Sequence, residues 1–236
     1  MQVIGLIGYV DKYDFAINLA KAINVMNKSV LVVDATNDKK LQAIIPSLDN
    51  IGDAYITQYN NIDFALGFKS LHDIENYTAE QGINLSLYDY ILIDIDTTAT
   101  YELFRSRNFD RTYFFIDTSV LSVSKNKELV KSMRVYNKEE ALKITKVLYR
   151  AYMSRAAEEY FENQIESYNV EWQEPEYEIP IDEIDKITDI DSQFSGIIEI
   201  RKHSKMFINT IADLTSEILD EVTAKEVIRE IKRRKD

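Results

Sequence analysis

Two aspartates close apolar runs in this sequence. Asp34 follows Ser29 to Val33 (SVLVV), and Asp94 ends the run Tyr88 to Asp94 (YDYILID). Runs without polar alternation read as strands covered on both faces. In open α/β sheets ligands bind outside the carboxyl ends of such strands. A carboxylate in that place can face a ligand, or it can accept hydrogen bonds from the next helix N-terminus. Other reactive groups are sparse. His72 and His203 are far apart, lack metal-ligand spacing, and read as ordinary surface or helix residues. With no cysteine, disulfides and thiolate metal sites are excluded, and a cytoplasmic location is the expectation. The six glycines, at 5, 8, 52, 67, 82 and 196, do not cluster as a phosphate-cradling loop usually requires.

Strand and helix patterns alternate along the chain, which predicts an α/β fold with a doubly wound, mostly parallel sheet flanked by helices. Val3 to Ile7, Ser29 to Val33, Tyr88 to Asp94, Arg111 to Asp117 and Lys143 to Tyr149 read as strands. A helix continuing from Lys138 competes for the last of these. Phe15 to Met26 carries Phe15, Leu19, Ala22, Ile23 and Met26 at helical spacing. Leu71 to Tyr77, Thr98 to Arg107, Ser124 to Met133 and Ala156 to Tyr168 also read as helices, and Lys205 to Lys232 as one long helix or two. Glu178 to Pro180 ends a last core strand. Residues 36–69 break into short pieces at Pro46 and Gly52. The acidic segment Glu171 to Asp191 reads as a solvated loop and helix start, or as a docking surface for a basic partner.

Length and composition fit one substantial core. The chain has 236 residues, 45% hydrophobic and 29% charged, with a net charge of −12. That charge argues against general nucleic-acid binding, which normally needs a basic face. No stretch is apolar enough to span a bilayer. The opening MQVIGLIGYV reads as a first strand rather than a signal peptide.

Four segments, in order, resemble the ParA/MinD family of P-loop ATPases. They are GYVDKYDFAINLAKAI from Gly8 to Ile23, VLVVDATND, YDYILID, and EIPID from Glu178 to Asp182. They are similar to the family's phosphate loop and first helix, its Asp-x-Asp strand, its Walker B strand, and its late Ile-Pro-x-Asp loop beside the adenine. The likeness spans residues 1 to about 220. A receiver or flavodoxin-like domain is the competing doubly wound fold, and it explains the late proline loop less well. The domain expectation is a ParA/MinD-like unit over 1–221 and a charged helical tail over 222–236.

The resemblance implies a nucleotide site at Gly8, Lys12, Asp34, Asp94, Pro180 and Asp182, and it also shows where that site departs from the family. Gly8 fills one loop glycine, but Tyr9 and Asp11 replace two others. Lys12 holds the position of the phosphate-reaching lysine. Tyr13 replaces the Ser/Thr that would hold Mg²⁺. The family's extra lysine at the loop start falls at Ile7. Asp34 matches the first aspartate of Asp-x-Asp, the second becomes Thr36, and Tyr149 falls at the adenine-side asparagine. A carboxylate such as Asp11 placed ~4 Å from a phosphate charge costs about 4 kcal/mol at an effective dielectric of ~20, unless Lys12 pairs with it. The expectation is therefore a degenerate site with no resident cofactor or metal, with Tyr9, Tyr13 and Tyr149 filling the phosphate and adenine space.

Two functions follow from the resemblance. One is a non-catalytic localisation or scaffolding protein, a homodimer acting on protein partners such as a pilus, secretion or partition component. The other is a divergent ATPase in which Lys12, Asp34 and Asp94 bind phosphate and metal. Relatives of the MinD type end in a basic membrane-lying helix. Here Val222, Val227, Ile228 and Ile231 precede Lys232 to Lys235, a thin match for peripheral membrane contact, and the basic residues read first as charge complementing a helix dipole.

Overall fold

The computed structural model describes residues 1–46, 53–105, 109–136, 141–150 and 155–234. Gly52, the Arg107 end of the third predicted helix, the Lys138 helix start and Lys235 lie outside them.

Among the described residues the alternation of elements resolves into one eight-stranded sheet. The strands are β1 (Gln2–Ile7), β2 (Val30–Ala35), β3 (Tyr55–Tyr59), β4 (Ile62–Leu66), β5 (Tyr90–Ile95), β6 (Arg111–Ile116), β7 (Leu142–Tyr149) and β8 (Val170–Ile179). Their order is β3-β4-β2-β5-β1-β6-β7-β8. Every pairing is parallel except β3 with β4. The central strands β2 and β5 are buried along their whole length, as their unbroken apolar runs require.

Helices cover both faces. On one side α1 (Tyr13–Val25), α8 (Lys205–Leu219) and α9 (Ala224–Arg233) bury Phe15, Leu19, Phe207, Leu214, Val227 and Ile231. On the other, α3 (Leu71–Glu80), α4 (Thr98–Phe104), α5 (Val120–Tyr136) and α6 (Arg155–Ile165) bury Ile74, Phe104, Leu129 and Phe161. The short α2 (Lys40–Ile44) follows β2, and α7 (Glu183–Ser195) follows β8.

Several boundaries differ from the sequence reading, each for a physical reason. Residues 36–69 hold the β3–β4 hairpin, whose turn residues Asn60 and Asn61 both take positive φ, 51° and 63°. Asparagine tolerates that conformation, and a two-residue hairpin turn needs it. The last helical stretch is two helices. Asp220 ends α8 in the left-handed region, and Thr223 opens α9 with a reciprocal capping box to Glu226. In the acidic segment the expected helix start is α7, but the expected loop before it is the strand β8. β8 is an edge strand, and Glu171, Glu174, Pro175, Glu176 and Glu178 on it are exposed.

The C-terminal segment is not a free tail. Val227 and Ile231 are buried in the same core as α1 and α8, with Val222 and Ile228 packed beside them. The apolar residues proposed for membrane contact are therefore spent on packing. Among the described residues no helix is long and apolar enough to cross a membrane.

A buried polar network ties α7 to α1. The Arg150 guanidinium lies 3.5 Å from Asp14 and also pairs with Asp189. Gln193 donates to Asp14 at 3.0 Å, and His203 Nε2 is 2.9 Å from Asp189.

Candidate functional site

The parallel register sets the site. Asp34 and Asp94 stand opposite each other at the carboxyl ends of β2 and β5, and Leu6 of β1 lies beside Asp94. The loop from Gly8 to Lys12 leaves β1 at the same end and enters α1. A cleft of about 330 Å³ opens there. It is lined by five carboxylates, Asp11, Asp38, Asp94, Asp96 and Asp117, and by two lysines, Lys12 and Lys40.

Gly8 is a glycine for a steric reason. Its φ is +148°, and a Cβ there would lie 2.1 Å from the Phe115 carbonyl oxygen. The loop after it is tied down internally. Gly8 N–H donates to the Ile95 carbonyl at 3.0 Å, and Val10 N–H to Gly8 at 2.9 Å. Tyr9 N–H donates to Asn126 Oδ1 at 2.7 Å. Asn126 is fully buried in α5 and also donates to the Phe115 carbonyl at 3.3 Å. The amide thus clamps the loop to β6. Sequence reasoning missed Asn126, Asp96 and Asp117.

Lys12 is turned inward and only 1% exposed. Its ammonium is 2.8 Å from Asp94 Oδ1, and it donates to the carbonyls of Gly8 at 2.8 Å and Ile95 at 3.0 Å. Those three contacts match the three donors an ammonium has. Lys12 does not offset Asp11, because Asp11 is exposed and pairs with Lys40 at 2.8 Å. Asp94 Oδ2 has no hydrogen-bond donor among the described residues. Burial, only partly offset by Lys12, pushes the Asp94 carboxyl from its ordinary 3.8 up to about 6. Asp96 is also pushed up by burial.

Asp34 is used by its own loop. Its Oδ1 accepts from the Thr36 hydroxyl at 2.5 Å and the Thr36 N–H at 3.1 Å, and its Oδ2 from Leu41 N–H at 3.1 Å. Asp182 caps α7 by accepting from Ile184 N–H at 2.8 Å, and Pro180 precedes it at the end of β8. Neither residue lines the cleft. The structure thus brings Lys12 and Asp94 together beneath Gly8, sets Asp34 beside them, and leaves Pro180 and Asp182 at the β8–α7 corner.

The tyrosines do not fill the site as expected. Tyr9 and Tyr13 line an open cleft. Tyr149 is buried in the core instead, edge-on to Phe15 and Phe115 at 5.8 and 5.9 Å. Its position on β7 alternates inward toward α1, away from the cleft.

No protein-family model matches the sequence, and no curated protein matches it. Solved structures match over nearly the whole chain. A ParA family ATPase from Chlorobium tepidum TLS is 16% identical, with a TM-score of 0.57 over 98% of each chain. MinD in the MinC:MinD cell division complex of Aquifex aeolicus is 15% identical, with a TM-score of 0.63 over 94% of this chain and 97% of that one. The fold is that of the ParA and MinD ATPases. Apo McdA from Cyanthece shares it at 13% identity and a TM-score of 0.54, covering 98% of this chain and 99% of that one. In the ParA/MinD fold of this chain, the cleft at the ends of β1, β2 and β5 is where the loop, Lys12 and Asp94 converge.

Proposed function

We propose that this chain is a positioning or scaffolding protein on the ParA/MinD fold that works through protein partners without turning over ATP. The observation that carries the proposal is the capture of Lys12. An anion can recruit that ammonium only by pulling it from one carboxylate and two carbonyls in a buried site. Other features point the same way. Tyr9 N–H is already taken by Asn126, and Tyr13 occupies the place of a metal-holding hydroxyl. Five carboxylates against two lysines give the cleft the wrong sign for a triphosphate. These residues do not fit a magnesium nucleotide as they stand.

The divergent-ATPase reading rests on the cleft itself, whose volume of about 330 Å³ is within the range of small-ligand sites. Calorimetry with ATP and ADP in the presence of Mg²⁺ separates the two. The expected result is no binding heat at protein concentrations that would register a Kd of about 100 μM. Turnover at background level, equal in the parent and in Lys12→Ala, is expected alongside. Clear binding, with turnover abolished by Lys12→Ala, would overturn the proposal.

Protein partners are the natural output of a scaffold. The Aquifex aeolicus relative is seen with MinC, so the fold can carry one. We assign this chain a partner of the pilus, secretion or partition kind and a homodimeric state, to be checked by sedimentation equilibrium and by affinity capture.

A further inference from the structure

An ordinary surface helix turns its apolar residues inward and its polar residues to water. Helix α7 does the reverse. Its inner face is polar, with Asp185, Thr188 and Asp189 all buried and each partnered. Asp185 accepts from the N–H and hydroxyl of Ser204, and Thr188 donates to the Lys202 carbonyl. Its outer face carries Ile184, Ile187, Ile190 and Phe194, which are 57%, 51%, 41% and 89% exposed. Ile181 before the helix and Ile197 after it, 51% and 39% exposed, extend the row. Single exposed apolar residues need no explanation, but a continuous row of six does. The inner network holds the helix in place without help from these residues, so the chain's own packing gives no reason for them.

We infer that the outer face of α7 is a docking surface for a basic amphipathic helix of a partner protein. This takes the scaffolding role as given and names the surface through which it would act. Charge chooses the occupant. The chain carries −12 overall. Glu183 and Asp191 stand exposed on the same face as the apolar row, with no ion-pair partner among the described residues. The nearby Lys186 lies 3.5 Å from Asp14, which answers its charge. A second copy of the chain would bring a like-charged α7 against this one. An anionic membrane surface is a poor match too, because helices that lie in lipid carry Lys and Arg beside their apolar face. A helix with an apolar row flanked by lysine or arginine satisfies both the isoleucines and the free carboxylates. α7 is about 20 Å long, enough for about four turns of such a partner.

Two synthetic amphipathic helices test this by fluorescence anisotropy with the full chain. One has leucine on one face and lysine on the other, and its control replaces lysine with glutamate. The expected result is that only the lysine peptide binds, and that the double variant Ile187→Ser, Phe194→Ser weakens it by at least about tenfold. Glu183→Lys with Asp191→Lys should shift the preference toward the glutamate peptide. Circular dichroism checks that the variants, all at exposed positions, stay folded. The inference is overturned if neither peptide binds, if both bind alike, or if the serine variant binds the lysine peptide as the parent does. It is also overturned if sedimentation shows a dimer that the serine substitutions dissolve, since the occupant would then be a second copy. Nucleotide calorimetry reports separately on the scaffolding reading, so the two can fail independently.

Discussion

Replacing Arg150 by methionine tests whether the network beneath α7 carries the load assigned to it. Arg150 is the cation that faces both buried carboxylates, Asp14 and Asp189. At 3.5 Å and an effective dielectric of ~20, its attraction to Asp14 alone is about 5 kcal/mol before desolvation. Breaking a buried pair by removing one member typically costs about 3–5 kcal/mol, because the remaining charge is left without compensation. Arg150 is 22% exposed and Lys186 still reaches Asp14, so the lower end, about 3 kcal/mol, is expected. The cost should also depend on pH. Burial and the nearby Asp189 raise the Asp14 carboxyl above its ordinary value, while Lys186 and Arg150 lower it. For an acid raised on folding, the associated stability is present below the unfolded value and lost as pH climbs through the folded one. Without Arg150 that rise is larger, so the variant should lose more stability than the parent between about pH 4 and pH 7. Urea unfolding followed by circular dichroism at the two pH values measures both effects. A deficit under about 1 kcal/mol, or one equal at both pH values, would refute the reasoning.

Gly8→Ala forces a Cβ to 2.1 Å from a backbone oxygen at φ +148°. It should cost more than about 2 kcal/mol, and an unchanged melting temperature would count against the loop geometry. Asp94, pushed up to about 6, makes a contribution that is present below 3.8 and lost as pH rises through about 6. Asp94→Asn removes that dependence, so from about pH 4 to pH 7 the stability difference should move in the variant's favour by up to about 3 kcal/mol. A flat difference in urea titrations would show that Asp94 is not raised. Ile231→Ala should destabilise by about 2–5 kcal/mol. A silent substitution in thermal melts would mean that α9 lies outside the core.

Much of the frame is legible because it is written in apolar runs. VLVV before Asp34 and YILI before Asp94 read as doubly covered strands, and Phe15, Leu19 and Ile23 as the core face of a helix. The β3–β4 hairpin was harder, since its strands are short and β3 is only half-buried. β8 was shortened to Glu178–Pro180 because an edge strand rich in glutamate lacks the signal of a covered one. α7 is legible only as a helix start inside the acidic segment, because acidic residues on both its faces blur the apolar periodicity of its full length. At the site, Lys12 and Asp94 could be placed one by one. Their mutual pairing could not, because it follows from the β1–β5 register and from where the side chain turns. Asn126 lies 117 residues from the loop it clamps, and nothing around it in sequence marks it.

The row of glutamates on β8 also has a consequence for how the chain behaves in company. An open sheet edge is a template on which a neighbour's strand can continue the ladder. Pro175 has no N–H to offer such a strand, and Glu171, Glu174, Glu176 and Glu178 surround it with negative charge. A second molecule of the same composition is repelled before it can align. The β8 edge is thereby closed to like chains, and strand-on-strand growth of the sheet from that side is blocked.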